Sequence, residues 1–134
     1  MSYHDIKLRP SDKLFSQYIR GCAKWKCEKC GRKCKVDGQT LYRLEASHYY
    51  SRRSEATRFD PDNVHALCFT CHQRMGGHTR EEKSEYDEWM KEKLGKKGFI
   101  LLKVRNNTYK KRDDKMDLIT IKQLIKDYEK NSIT

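Results

Sequence analysis

Two Cys-x-x-Cys pairs, Cys27/Cys30 and Cys68/Cys71, constrain this chain more than any other feature. Within each pair the turn lets both sulfurs face one ion at about 2.3 Å, and two such pairs complete a tetrahedral zinc shell. The 37 residues between them (31–67) must therefore form a closed excursion that brings the two pairs together. Four thiolates leave no position for water, so the expected zinc is structural and its binding free energy is folding free energy. Gly31, directly after the first pair, permits the left-handed turn such knuckles use. Cys34 is an alternative ligand by its spacing from Cys30, and Cys22 reads as core packing on a helix. The N-terminus, MSYHDIKLRP, lacks the apolar stretch of a secretory signal. A cytoplasmic, reducing location is expected, in which six cysteines serve metal ligation rather than disulfides.

The 134 residues suit a single domain with a modest core. A first amphipathic helix is expected from Ser11 or Asp12, with Leu14, Phe15, Tyr18, Ile19 and Cys22 on one stripe. The cysteine knuckle follows, then a turn at Asp37-Gly38. Residues 40–50 read as a strand ending near His48, residues 51–63 as a polar loop, and residues 64–69 as a second strand. Thr70 and Gln73 form a capping-box pattern that predicts a helix opening at Cys71-His72 and ending at Gly76-Gly77. Thr79 and Glu82 predict another helix, with Tyr86, Trp89, Met90 and Leu94 on one face and a stop at Gly95. The run Phe99–Val104 is too short to decide between strand and helix. A basic linker then leads to a last helix from about Asp117, with Leu118, Ile121, Leu124, Ile125 and Tyr128 on its apolar stripe. The fold class is α+β: a zinc-stabilised core over 25–95, an N-terminal helix within 1–24, and a basic linker and C-terminal helix over 96–134.

Charge narrows the partner. Lys and Arg number 30 against 19 Asp and Glu, a net +11, and such an excess suits a polyanion whose counterions are released on binding. Nucleic acid is the expected partner. No apolar run approaches bilayer length, so no membrane association is expected. The oligomeric state is left open by the sequence.

Three further residues fall in a telling order around the second Cys-x-x-Cys: His48 at a strand end, Asn63 after the loop, and His72 directly behind Cys71. Together with Cys27, Cys30, Cys68 and Cys71, this order resembles the HNH, or ββα-metal (His-Me finger), endonucleases, many of which carry such a zinc knuckle. The string ASHYYSRRSEATRFDPDNVHALCFTCHQRMGGH is similar to phage-encoded HNH proteins and, more distantly, to the NinG/Rap recombination proteins of lambdoid phages. The resemblance spans about residues 25–95. It implies a metal-dependent endonuclease that hydrolyses DNA phosphodiester bonds in phage recombination, repair or packaging, within an infected bacterium. By the same resemblance His48 is the general base, Asn63 holds the loop that orients it, and His72 ligates a catalytic Mg²⁺, Mn²⁺ or Ni²⁺. His78 is the next candidate ligand. Many family members place an aspartate ligand immediately before the base histidine. Here that position is Ser47, with Glu45, Asp60 and Asp62 as candidate substitutes.

Arg52, Arg53 and Arg58 follow His48 and are expected on phosphates flanking the cut, because guanidinium groups bind phosphate bidentately. Lys96, Lys97, Lys110, Lys111 and Arg112 form two further basic clusters that carry no base-reading code. Tyr49 and Tyr50 fit base stacking or strand packing equally, whereas Phe15, Trp25 and Trp89 read as core. His4 and His65 read as residues without a site role. The alternative to an enzyme is a catalytically inactive zinc-containing DNA-binding module. A protein-interaction factor using the Tyr86-Trp89-Met90 face is a third reading.

Overall fold

A computed structural model describes residues 6–132, and His4 lies outside the described residues. Helix α1 spans Pro10–Cys22, starting ahead of the expected Ser11 or Asp12. Proline suits the first helical position because its fixed φ is already helical and its missing N–H would have no partner there. Asp12 is not the N-cap. From the third helical position its carboxylate accepts the Arg9 backbone N–H at 2.7 Å. The predicted stripe is realised: Phe15 and Ile19 are buried and Leu14 and Tyr18 pack at its margin.

After the knuckle, a short hairpin pairs β1 (Lys35–Val36) with β2 (Gln39–Thr40). Asp37 and Gly38 both take positive φ, 51° and 78°, which matches the right-handed twist of a two-residue hairpin. Strands β3 (Leu44–His48) and β4 (Val64–Cys68) then form the central antiparallel pair, with Ser47 opposite His65 and His48 opposite Val64. All five residues of β4 are buried, because α1 and α2 (Phe69–Met75) both pack against this strand pair.

Helix α2 opens directly at Phe69, with Cys68 as its N-cap, so the expected start at Cys71 set by Thr70 and Gln73 is not used. An immediate start has a geometric reason: Cys68 and Cys71 end up three positions apart across one helical turn, on the same side. Helix α3 spans Arg80–Asn106 and is capped as predicted, the Thr79 hydroxyl oxygen accepting the Glu82 N–H at 3.1 Å. It breaks at Gly95, which adopts φ 76°, and the undecided Phe99–Val104 run is helical beyond the break. Helix α4 spans Asp114–Ser132, beginning three residues before Asp117 because the Asp113 carboxylate accepts the Met116 N–H. It lies along α1, with Ile121 fully buried and the Tyr18 and Tyr128 rings edge to face at 6.5 Å. The outcome is an α+β fold whose ββα unit, β3-β4-α2, is flanked by α1, α3 and α4. Among the described residues no helix is long and apolar enough to cross a membrane.

Candidate metal centre and active site

The two Cys-x-x-Cys pairs meet where β4 runs into α2. Their four Sγ atoms lie within 4.8 Å of one another, with Cys30 and Cys68 3.9 Å apart. Tetrahedral ligation at about 2.3 Å per sulfur gives edges of about 3.8 Å, so the donor set and its dimensions fit zinc. Cys34 is buried apart from this cluster with its thiol directed at the Arg32 carbonyl, and Cys22 sits against Tyr18. The first pair is carried by a turn in which Gly31, at φ 78°, donates its N–H to the Cys27 carbonyl at 2.9 Å.

Glu28, between the two cysteines of that turn, escaped the sequence reading. Its N–H donates to the Ala66 carbonyl at 2.8 Å while its carboxylate accepts the Ala66 N–H at 2.6 Å. Lys93 of α3 pairs with its other oxygen at 2.9 Å. One residue thus fastens the knuckle to the middle of β4 and to a helix outside the unit.

A cleft of about 1290 Å³ has Glu45, His48, His72 and His78 in its lining, together with Arg43, Arg52 and Phe69. The His48 Nε2 lies 3.0 Å from the Arg58 carbonyl oxygen. A carbonyl can only accept, so Nε2 carries the proton and Nδ1 keeps the lone pair. Burial lowers the His48 pKa to about 4, and the Arg52 cation acts in the same direction, so the ring is neutral at pH 7. Asn63 is fully buried and clamps both ends of the intervening loop. Its carbonyl oxygen accepts the Tyr50 N–H at 2.8 Å, and its amide donates to the Tyr50 and Thr57 carbonyls at 2.9 and 3.0 Å. His72, in the first turns of α2, donates from Nδ1 to Glu45 Oε1 at 2.9 Å. The second Glu45 oxygen accepts from Arg43 at 2.7 Å.

Residues 27–77, from the first knuckle cysteine to the end of α2, match the family model of the HNH endonucleases. The likeness is to the HNH endonuclease domain and covers this segment alone. No curated protein and no solved structure gave a match to the chain.

Within the matched segment, Ser47 is 1% exposed and its hydroxyl shares a 2.7 Å hydrogen bond with the Tyr86 hydroxyl of α3. It faces the interior and offers nothing to the cleft. Of the three candidate substitutes, Asp60 and Asp62 are both engaged by Arg105 at the far end of α3, at 2.7 and 2.9 Å. Glu45 alone of the three shares the cleft with His72.

The loop arginines divide. Arg52 borders the cleft, and Arg53 is exposed beside it. Arg58, expected on a phosphate, is 4% exposed and turned inward onto Asp12 of α1, with Nε and Nη2 donating to the two carboxylate oxygens at 2.9 and 2.6 Å. A buried guanidinium needs such a partner to offset its desolvation. No local pattern links these two residues, which are 46 positions apart. In the linker, Lys110 pairs with Asp117 and Arg112 with Asp114, while Lys96, Lys97 and Lys111 are exposed. Tyr49, just past the end of β3, packs among the Tyr50, Tyr86 and Phe99 rings, the last two on α3. His65 is buried edge-on to Trp89, and burial lowers its pKa. Phe15 is core, whereas Trp25 is half-buried beneath the Arg20 and Lys35 cations.

Proposed function

We propose that the chain is a metal-dependent endonuclease that hydrolyses DNA phosphodiester bonds. The observation that carries this reading is the His48 imidazole, held by the Arg58 carbonyl with Nδ1 unprotonated in a cleft that also contains the His72–Glu45 pair and His78. In this reading His48 Nδ1 takes the proton from the attacking water, and Asn63 keeps the loop in the form that presents the Arg58 carbonyl. His72 offers Nε2 to a divalent ion, because Glu45 holds Nδ1 as the donor, the arrangement by which a carboxylate fixes the tautomer of a ligating histidine. Both Glu45 oxygens are occupied, so Glu45 orients His72 rather than standing in for an aspartate ligand. His78 and water complete the set. Bound there, the ion supplies positive charge beside the scissile phosphate and the leaving 3′ oxygen. Imidazole donors favour Ni²⁺ over Mn²⁺ and Mg²⁺. Arg52 and Arg53 steady the flanking phosphates, and the net +11 supplies the wider attraction.

We further propose, on the resemblance to phage-encoded HNH proteins alone, that this activity serves phage recombination, repair or packaging in the cytoplasm of an infected bacterium. The deciding experiment incubates zinc-loaded protein with supercoiled plasmid and Ni²⁺, Mn²⁺, Mg²⁺ or chelator. Nicking that requires an added ion supports the reading. Salt-sensitive DNA binding with no cleavage under any ion would make the protein a zinc-containing DNA-binding module, a reading to which the inward-facing Ser47 lends weight.

A further inference from the structure

We infer that the buried Asp12–Arg58 ion pair, which joins α1 to the β3–β4 loop, is the device that fixes the tautomer and orientation of the His48 ring. Asp12 and Arg58 are therefore positioning residues for the base of the proposed reaction. The inference rests on that reading for its catalytic meaning, but its structural content can be measured without any cleavage.

The geometry is a short relay. The Asp12 carboxylate receives two parallel N–H bonds from the Arg58 guanidinium, at 2.9 and 2.6 Å, the planar fork that best restricts both partners. Two further N–H groups are engaged: Nη1 donates to the Arg52 carbonyl at 3.0 Å and Nη2 to the Lys7 carbonyl at 3.1 Å. The side chain is thus bound on several sides, and its own backbone carbonyl accepts from His48 Nε2 at 3.0 Å. A loop carbonyl with no such anchorage can rotate through a peptide flip, after which either imidazole nitrogen is free to carry the proton. Asp12 is itself held, since the Arg9 N–H donates to it at the start of α1. Arg52 adds a second cation 3.6 Å from the same carboxylate. The anchor therefore comes from α1, outside the 27–77 match, and reaches the base through a buried side chain rather than through the strand that carries His48.

The test is ¹⁵N-histidine NMR on zinc-loaded full-length protein, reading the His48 ring nitrogens. Wild type should show one tautomer, with Nε2 protonated and coupled to the Arg58 carbonyl carbon. Arg58→Gln leaves the Asp12 contact with Arg9 in place, and Asp12→Asn/Arg58→Gln removes both charges together, so no orphan charge remains buried. Each variant should keep its zinc and its strand-pair resonances yet show averaged ring shifts and no coupling to residue 58. If wild type cleaves DNA, kcat should fall by on the order of tenfold to a hundredfold with KM little changed, as for a misplaced reacting group. Folded, zinc-bound variants that retain the single Nε2-protonated tautomer would overturn the inference. So would a wild type with mixed tautomers. If wild type shows the fixed tautomer but no cleavage with any ion, the endonuclease reading fails while the positioning relay stands.

Discussion

The two halves of the ββα unit are built on opposite plans. On the cysteine side, four like donors from one turn and one strand–helix junction already lie within 4.8 Å of one another, and Glu28 ties the turn to β4. On the histidine side, Glu45, His48, His72 and His78 line one cleft but do not form a comparable cluster. A closed site works by having no vacancy, so the protein supplies every ligand. The proposed reaction needs room for water, phosphate and leaving group, so on that reading few ligands come from the chain and the remaining contacts serve orientation. The histidine side accordingly consists of supported groups: His72 by Glu45, His48 by Arg58, and the loop by Asn63.

This contrast can be broken from its stronger side first. Cys68→Ser should abolish zinc binding and with it the fold, because structural zinc sites contribute about 10–16 kcal/mol in small zinc domains, against about 5–15 kcal/mol for a typical domain's whole stability. Elemental analysis and thermal melting check this, and a folded, zinc-free variant would mean that Glu28 and the helices suffice. His48→Ala should leave zinc content and melting nearly unchanged but lower plasmid nicking by about a hundredfold to ten-thousandfold, the usual worth of a general base. Glu45→Gln should leave the structural zinc in place and raise the Ni²⁺ or Mn²⁺ concentration needed for half-maximal nicking by about tenfold to a hundredfold. An unchanged metal titration would remove Glu45 from the support of His72.

Smaller effects sharpen the comparison at its boundary. Ser47→Ala leaves the buried Tyr86 hydroxyl without its partner and should cost about 1–3 kcal/mol in denaturant unfolding, with no change in metal dependence. A shift in metal dependence would make Ser47 part of the cleft after all. The smallest effect is a pH slope. Burial holds His48 at about 4 and His65 below its usual value, so between pH 6.5 and about 4 the unfolded chain binds more protons than the folded one. Stability from these two rings is complete above pH 6.5 and declines as pH falls through that window. Melting temperatures between pH 7 and 4.5 should show this decline, and His48→Ala should reduce it.

Much of the site was legible because its residues are local in sequence or bound by strong chemical rules. Cysteine spacing identified the four-cysteine cluster, and the Thr79 cap and the Gly95 break followed from turn chemistry. The Thr70–Gln73 pattern failed because strand β4 passes straight into α2, bringing Cys71 one turn after Cys68. Arg58 failed for a different reason. In sequence it is one of three loop arginines, and only the approach of α1 makes it a buried anchor instead of a phosphate contact.

The sequence by itself determined the donor set of the metal centre, the ββα order and the basic character of the chain, since each depends on spacing or composition. Tertiary structure alone decided which face each polar group serves: Ser47 inward to Tyr86, Glu45 onto His72, Asp60 and Asp62 onto Arg105, and Asp12 onto Arg58. The physical reason is that a charged or hydroxyl side chain takes its role from the partner that offsets its loss of water. For these residues that partner comes from an element distant in the chain.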